Sequence, residues 1–280
     1  MIWQTSKRQL SLERPLLMGI VNVTPDSFSD GGRFDSTDEA VRFAEKLVAD
    51  GADLLDIGGE STRPGSKRVN EDEEIARVVP VIERLTKRVD VPLSIDTCKA
   101  SVAAAAIGAG AEIVNDISGL RFDVKLGDAA AAGSAGLILM HSRGEFHEMH
   151  SQEPVDDIFA EVENSFRKSL ELASRCGVSK ESIVLDVGIG FGKTVEQNLS
   201  LIADLAKIIR KFEEFPVLVG ASRKSFIGKL CDENDPRKRI GGSLAAAIAA
   251  VRNGAHIIRV HDVYETRQAL KTAEALKIIS

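Results

Sequence analysis

The sequence is poor in the residues from which disulfide scaffolds and transition-metal centres are built. It has three cysteines, Cys98, Cys176 and Cys231, and five histidines in 280 residues. The cysteines show neither Cys-x-x-Cys spacing nor an even count, and no His-Glu-x-x-His motif is present. We therefore expect free, buried thiols in a reducing compartment and no transition-metal centre. The composition leaves open a hard cation held by oxygen ligands.

The sequence also lacks an excess of basic residues and any long hydrophobic run. Lys and Arg number 36 against 42 Asp and Glu, which gives a formal net charge of −6. Proteins that bind nucleic acid or a membrane surface usually carry a basic face, so neither partner is expected. No apolar run reaches the ~18 residues of a membrane span, and the N-terminus has no apolar segment typical of a signal peptide. We expect a cytoplasmic protein.

Short apolar runs, each followed by a polar loop and an amphipathic segment, recur along the whole chain. Hydrophobic residues make up 44% of the sequence, which is enough for a large core. The runs cover residues 16–21, 54–57, 91–95, 113–114, 136–140, 183–185, 216–219 and 255–260. They are rich in Val, Ile and Leu and do not alternate, which is typical of parallel strands buried on both faces. Eight such units predict an α/β fold, a (β/α)8 TIM barrel, with an open doubly wound sheet as the alternative.

No change of composition marks a linker, so residues 1–280 are predicted to form a single domain. Residues 1–15 alternate weakly between apolar and polar side chains, and we expect them to form a β-hairpin that caps the barrel. Four residues are predicted to cap helix N-termini through their side chains. They are Ser36, Asn70, Thr97 and Asp262.

Polar residues follow the apolar runs, where the chain leaves each predicted strand. Since a barrel of parallel strands gathers their carboxyl ends at one mouth, these side chains are expected to converge. The set comprises Asn22, Thr62, Arg63, Asp96, Asn115, Asp186, Lys224, Arg259 and His261.

Four members of this set are cationic or can become so: Arg63, Lys224, Arg259 and His261. Together with glycine-rich loops they predict an anion site suited to phosphate, in a protein that is acidic overall. The alternative is that Arg259 and Lys224 only pair with Asp186 or Asp262.

A second group, Asp96, Asn115 and Asp186, offers two carboxylates and an amide at the last positions of three strands. Such groups suit a flat, polar heterocycle that is rich in N–H donors. The alternative is that they cap helices or satisfy loop backbone groups, as Asp and Asn often do.

The glycine-rich loop at 186–194 does not fit a nucleotide-binding motif. A Walker A sequence that ends at Gly192, Lys193 and Thr194 would need glycine at position 187, which is Val187. The dinucleotide fingerprint fails as well, because position 193 is not glycine. A nucleophile elbow of the Gly-x-Ser-x-Gly type is also missing.

Two longer segments and five shorter ones resemble the dihydropteroate synthase family. Residues 21–32 read Val-Asn-Val-Thr-Pro-Asp-Ser-Phe-Ser-Asp-Gly-Gly, and residues 56–65 read Asp-Ile-Gly-Gly-Glu-Ser-Thr-Arg-Pro-Gly. These are similar to the two signature segments of the family. Further similar motifs follow in the same order at residues 94–97, 115–116, 188–193, 220–225 and 259–263. The resemblance extends from about residue 16 to residue 263.

The resemblance implies a TIM-barrel enzyme of folate synthesis that joins (7,8-dihydropterin-6-yl)methyl diphosphate to 4-aminobenzoate and releases diphosphate, with Mg²⁺. The residues implied to hold the pterin are Asp96, Asn115, Asp186 and Lys224, with Met140 along its pocket. Those implied to bind the diphosphate are Arg259, His261 and Asn22, of which Asn22 also reaches Mg²⁺. Those implied to border the aminobenzoate are Phe28, Thr62, Arg63, Pro64, Phe191, Ser222 and Lys224. Lys224, Asp96, Arg259 and His261 are expected to be catalytic.

The family resemblance also implies a homodimer formed through the C-terminal helices, and a site that closes when loops 24–36 and 61–70 cover it. Two departures from the family pattern are visible. Val187 stands where the family usually has proline, which is expected to loosen the entry to that loop. The segment 141–153 diverges, and no site role is assigned to it.

Two other functions compete with this interpretation. A pterin-binding methyltransferase domain shares the barrel and some motifs, but it lacks a diphosphate site. The Ser-Arg-Lys-Ser and Arg-Val-His segments here argue against it. A catalytically silent paralogue that binds pterin or a partner protein is the other alternative.

Overall fold

Eight parallel strands close into a barrel whose strand order follows the chain. The computed structural model describes residues 1–24, 33–62, 66 and 68–279, without the side chains of residues 33–36. An N-terminal hairpin consists of β1 Ile2–Gln4 and β2 Gln9–Ser11. The barrel strands are β3 Leu16–Asn22, β4 Leu54–Gly58, β5 Leu93–Asp96, β6 Ile113–Asp116, β7 Gly136–Met140, β8 Ile183–Asp186, β9 Val217–Val219 and β10 Ile257–Val260. Because β10 pairs with both β3 and β9, the sheet is closed. The TIM-barrel prediction is confirmed, and the open sheet is wrong.

Helices connect the strands and cover the outside of the barrel. They are α1 Arg33–Asp50, α2 Glu71–Leu85, α3 Ala100–Ala109, α4 Lys125–Ala132, α5 Ile158–Arg175, α6 Val195–Ala203, α7 Ala206–Lys211, α8 Ser225–Cys231, α9 Ile240–Arg252 and α10 Val263–Ala275. Short 3₁₀ helices lie at Lys180–Ser182 and Pro236–Lys238. Throughout the described ranges, every helix is too short or too polar to cross a membrane.

Of the four predicted caps, one is confirmed and three are wrong. Asn70 caps α2 as predicted, since its Oδ1 accepts the amide N–H of Glu73 at 2.8 Å. Thr97 does not cap α3, because the carboxylate of Asp123 accepts the N–H of Ala100 at 2.9 Å. Asp262 precedes α10, but its carboxylate binds a guanidinium group and makes no cap hydrogen bond.

The predicted cap at Ser36 is wrong as well, because α1 already begins at Arg33. The expectation of buried thiols holds only in part. All three cysteines are free, but Cys98 alone is buried, Cys176 is half-buried and Cys231 is exposed.

The N-terminal hairpin closes the amino end of the barrel with a tryptophan. Trp3 is fully buried, and its Nε1 donates a hydrogen bond to the carbonyl oxygen of Ser182 at 2.8 Å, just before β8. Trp3 belongs to an apolar cluster with side chains from seven of the eight strands. These are Leu16, Met18, Leu54, Ile113, Ile138, Val184, Leu218 and Ile257. The lower half of the barrel is thus a packed apolar core, and the opposite, carboxyl end is left for polar chemistry.

Candidate active site

The alternation of side chains along each strand directs a charged group into the barrel above this apolar core. Successive side chains of a strand point to opposite faces, so residues two apart share a face. Leu54 and Ile257 belong to the interior cluster around Trp3. Asp56 and Arg259, two positions further along the same strands, therefore also face the interior.

A carboxylate–guanidinium cluster lies at the centre of the barrel mouth. Arg259 donates from Nε to Oδ2 of Asp56 at 2.6 Å and from Nη2 to Oδ2 of Asp96 at 2.7 Å. The carboxylate of Asp56 is fully buried and also accepts the amide Nδ2 of Asn115 at 2.9 Å and the hydroxyl of Ser94 at 2.6 Å. Four strands thus meet in one hydrogen-bonded network, and a guanidinium with five N–H groups keeps further donors for a ligand.

Asp56 is a residue that the sequence analysis did not assign to the site. Arg259 forms its ion pairs with Asp56 and Asp96, and not with Asp186 or Asp262 as in the alternative. Asp262 binds Arg223 instead. One signal could have identified Asp56. Asp56 is a carboxylate inside an apolar run that is buried on both faces. Arg259 is a cation inside another such run. Buried opposite charges in two runs predict a pair.

The cluster changes the protonation behaviour of its members. Burial raises the pKa of Asp96 to about 7, although the charge of Arg259 opposes this, and the neighbouring Asp56 adds to it. Burial alone would lower the pKa of Arg259, but the carboxylates of Asp56 and Asp96 outweigh it and raise that pKa. The guanidinium therefore stays charged while Asp96 can gain or lose a proton near neutral pH.

Asn22 ends β3 beside this cluster. It is in register with Gly58, which is in register with Asp96 and through it with Asn115. A Cβ atom placed on Gly58 would lie 3.5 Å from Cβ of Asp96 and 3.9 Å from Oδ1 of Asn22. Glycine at position 58 thus leaves the space between these two side chains open.

The donors around Asn22 fit a Mg²⁺ ion that is held mainly by a substrate. Among the described residues, no group of three or more His, Cys, Asp or Glu side chains could hold a metal ion. The described residues therefore do not form a cage for a metal ion by themselves. Mg²⁺ commonly keeps several waters and binds one or two protein oxygens together with substrate phosphates, and the amide oxygen of Asn22 suits that role.

Asp186, Lys224 and Phe191 form the opposite wall. The Nζ of Lys224 lies 4.2 Å from the centroid of the Phe191 ring, a cation–π contact. Burial lowers the pKa of Lys224 to about 8, as does the charge of Arg259, while Asp186 and Asp96 oppose the shift. Burial raises the pKa of Asp186, although its Oδ1 accepts the N–H of Gly188 at 2.8 Å. This wall presents a carboxylate and an amine to the pocket.

The glycine-rich loop after β8 is fixed by a half-buried lysine, Lys193. Lys193 Nζ donates to the carbonyl oxygens of Gly188 at 2.7 Å and Phe191 at 3.1 Å. Gly188 has φ +65°, and a Cβ there would lie 1.9 Å from the carbonyl oxygen of His141, so glycine is required. Val187 is fully buried in the core. The loop is therefore tied at its start by packing and by Lys193, and the loosening expected in the absence of proline stays a prediction.

The remaining predicted residues of the described part lie around the same mouth. Ser222 Oγ and His261 Nδ1 are 3.0 Å apart, which orients the imidazole after β10. Met140 is in register with Asp186 and packs in an apolar cluster that includes Phe191. Phe28, Arg63 and Pro64 lie outside the described residues.

Buried charges fix the two ends of the loop after β4, which carries Thr62. Lys99 Nζ donates to the carbonyl oxygen of Val69 at 2.7 Å and forms ion pairs with Glu60 and Glu74. Glu60 in turn accepts the N–H of Val69, so its side chain joins the first and last residues of the loop. All three charged side chains are buried. This network was not predicted, because each of its members looks like an ordinary surface charge in the sequence.

The mouth as a whole combines acceptors, donors and cations. The cluster of Asp96, Asn115 and Arg259 and the opposite pair of Asp186 and Lys224 can hydrogen-bond the edge of a planar heterocycle. Arg259, Lys224 and His261 can bind an anion beside it. The aromatic ring of Phe191 offers an apolar face next to both. The geometry suits the recognition of a heterocycle that carries a phosphate group.

Comparisons with known proteins identify the family. The model of the family described as "Pterin binding enzyme" matches residues 18–261. A dihydropteroate synthase from Synechocystis is 47% identical over 264 residues, which is 94% of this chain and 91% of that protein.

Two solved structures are similar over almost their whole length. A Xanthomonas albilineans dihydropteroate synthase with 4-aminobenzoic acid is 42% identical, with a TM-score of 0.92, over 100% of this chain and 99% of that chain. A Yersinia pestis dihydropteroate synthase in a complex with a sulfonamide drug is 44% identical, with a TM-score of 0.92, over 99% of this chain and 100% of that chain.

Proposed function

Because this chain belongs to the dihydropteroate synthase family of pterin-binding enzymes, we propose that its barrel mouth performs the reaction of that family with the residues described above. The chain is a transferase of folate biosynthesis. It condenses (7,8-dihydropterin-6-yl)methyl diphosphate with 4-aminobenzoate to give 7,8-dihydropteroate and diphosphate.

The observation that carries the residue assignments is the buried network in which Asp56 and Asp96 hold Arg259. It supports the assignment of Asp96 and Asn115 as hydrogen-bonding partners for the amino-pyrimidinone edge of the pterin. Asp186 and Lys224 bind the same ring from the other wall, and Met140 borders it. Since the carboxylate oxygens of Asp56 accept hydrogen bonds from other protein groups, Asp56 is a positioning residue for Arg259 and Asn115.

Arg259 and His261 bind the diphosphate. The charge of Arg259 is secured by its two carboxylate partners, so it enters the reaction already ionised. Asn22 is the protein ligand that would hold Mg²⁺ together with the diphosphate oxygens. The bound ion supplies positive charge against the growing negative charge of the leaving group.

The chemical step breaks the bond between the pterin methylene carbon and the diphosphate oxygen, and the electron pair leaves with the diphosphate. The lone pair of the aminobenzoate nitrogen then forms the new C–N bond, and the nitrogen loses its proton afterwards. We infer a dissociative displacement, because the electron-rich pterin stabilises positive charge on the methylene carbon. Arg259 and His261 stabilise the negative charge that develops on the leaving diphosphate, an effect worth several kcal/mol.

The aminobenzoate lies beside Phe191, Lys224 and Ser222, with Thr62 in the loop after β4. Phe28, Arg63 and Pro64 complete this subsite in the proposal. Sulfonamides occupy the same subsite, so 4-aminobenzoate is expected to compete with them.

A steady-state assay tests the function against its rivals. Diphosphate release is measured from the pterin diphosphate with Mg²⁺, in the presence and absence of 4-aminobenzoate, and the product is identified by mass spectrometry. We expect release that depends on 4-aminobenzoate and is lost in Asp96→Ala. Methyl transfer to a corrinoid would instead favour a methyltransferase. Pterin binding without turnover would favour a silent paralogue.

Cytoplasmic location and a homodimer are further parts of the proposal. The three free thiols support the first. For the second, Tyr264 and Leu276 are apolar but 52% and 65% exposed, at the two ends of the last helix. Sedimentation velocity of the protein and of Tyr264→Glu tests the dimer, and a monomer at micromolar concentration would contradict it.

A further inference from the structure

His150 lies between two loops of the active site, in the segment to which no role was assigned. Its Nε2 is 2.6 Å from the carbonyl oxygen of Thr62, in the loop after β4. Its Nδ1 is 3.2 Å from the carbonyl oxygen of Gly190, in the loop after β8. Its ring also stacks on Phe191, with centroids 5.0 Å apart and an angle of 28° between the planes. One half-buried side chain thus touches both loops at once.

The two carbonyl partners decide which form of the ring makes this bridge. A carbonyl oxygen only accepts hydrogen bonds, and a neutral imidazole has one N–H donor. The neutral ring can therefore bind one loop, whereas the imidazolium can donate to both. Protonation of the ring therefore completes the bridge.

The segments around the ring carry charges of both signs. In the described part of the chain they include Glu60, Arg68, Asp186, Lys193 and Lys224 on the neighbouring segments, and Arg143 and Glu148 in its own. Glu60 is paired with Lys99, and Lys193 donates to two carbonyl oxygens of its own loop. The two carbonyl acceptors are the direct hydrogen-bonding partners of the ring.

We propose that His150 is a positioning residue of the 4-aminobenzoate subsite, and that its imidazolium ties the loop of Thr62 to the loop of Phe191. The inference rests on the proposed function, since it assigns both loops to that subsite. Phe191 is in contact with Lys224, so the bridge also sets the place of the aromatic ring against the amine. The pterin-binding network around Asp56 lies on the strands and does not depend on the bridge.

Three variants separate the hydrogen bonds from the stacking. His150→Phe keeps an aromatic ring but has no donor. His150→Gln has no aromatic ring but keeps the two N–H donors of its amide nitrogen at every pH, because an amide does not change charge in this range. His147→Gln is the matched control, since His147 is exposed in the same segment. For each protein, KM of both substrates and kcat are measured from about pH 5.5 to about pH 8.5.

His150→Phe is expected to raise KM for 4-aminobenzoate by about 3- to 10-fold at low pH, which corresponds to the loss of one or two ordinary hydrogen bonds. KM for the pterin diphosphate should stay within about twofold. KM for 4-aminobenzoate should rise with pH more in the wild type than in His150→Gln. The ratio of the two KM values removes pH effects that the two proteins share, such as those of Asp96 and Lys224. His147→Gln should match the wild type throughout.

Hydrogen exchange gives a readout that does not depend on turnover. In His150→Phe, amides in peptides that contain Thr62 or Gly190 should exchange faster than in the wild type, and those of the barrel strands should not. Equal effects on both KM values, a pH-independent ratio of wild type to His150→Gln, or unchanged exchange would each overturn the proposal. If instead the wild type showed no turnover that depends on 4-aminobenzoate while exchange changed as expected, the proposed function would fail and the loop bridge would stand.

Discussion

Replacing Asp56 by Asn tests how the centre of the active site is held together. The substitution keeps the size of the side chain but removes a negative charge that is fully buried and accepts hydrogen bonds from Ser94, Asn115 and Arg259. The amide cannot accept all of these bonds in the same way, and its NH₂ group faces donors. Arg259 then keeps only one carboxylate partner, Asp96.

The size of the effect follows from burial. Removing one partner of a buried ion pair costs about 3–5 kcal/mol, because the other charge stays in a poor solvent. Since Asp96 remains as a counter-ion, we expect the lower end of this range, about 3 kcal/mol. For a domain of this size about 1 kcal/mol shifts Tm by roughly 2–4 °C, so Tm should fall by roughly 6–12 °C. Ser94→Ala, which removes one hydrogen bond to the same carboxylate, should cost only about 1 kcal/mol.

Urea unfolding measured by tryptophan fluorescence provides the assay. The chain has a single tryptophan, Trp3, which is fully buried at the amino end of the barrel. Its emission therefore reports exposure of the core, and its position at the opposite end keeps it away from the substituted residue.

A double-mutant cycle tests the physical reason directly. In an Arg259→Met background, the Asp56→Asn substitution no longer strands a guanidinium, so its cost should drop by at least about 1 kcal/mol. If the two substitutions are additive within about 0.5 kcal/mol, the ion pair does not hold the cluster together and the reasoning is refuted.

Three other predictions concern individual groups of the site. Lys224→Ala should lower kcat/KM by about 100-fold or more. Cys98→Ala should stay active, because burial raises the pKa of that thiol to about 12 and leaves it unreactive. A folded but inactive Cys98→Ala would contradict this. Burial raises the pKa of Asp96 from 3.8 to about 7, so the folded protein holds this proton more tightly than the unfolded chain. As pH rises through this window, urea unfolding should show the wild type losing stability relative to Asp96→Asn, and a constant difference would count against the shift. Lys99→Met leaves two buried glutamates without a counter-ion, so it should lower the free energy of unfolding by about 3 kcal/mol and raise KM for 4-aminobenzoate. An unchanged melting curve would show that the network does not stabilise the protein.

The barrel and the residues at the strand ends could be predicted because both follow from local patterns. An apolar run buried on both faces breaks off where the strand ends, and the barrel brings those ends together. Asp96, Asn115 and Asp186 each stand at such a break, so their convergence needed no knowledge of contacts. The chemistry of the mouth was therefore readable before the geometry was known.

Contacts between distant segments could not be predicted in this way. Asp56 and Arg259 are 203 residues apart, and their pairing depends on the interior face that each strand presents. The cap predicted at Thr97 failed for a similar reason, since Asp123 reaches back from the next loop to satisfy Ala100. His150 gave no signal, because its partners are backbone carbonyls that the sequence does not mark.

The tryptophan at the amino end of the barrel also sets a time for folding during synthesis. Trp3 emerges almost first, but its carbonyl partner, Ser182, lies 179 residues later. At about 5–20 residues per second, the ribosome needs roughly 9–36 s to make that distance. During this interval the first hairpin has only part of its core to enter, and β3 has no β10 to close against. The nascent chain therefore passes through a long stage with an open sheet edge and an incompletely buried indole, which is when a chaperone would be of most use to it.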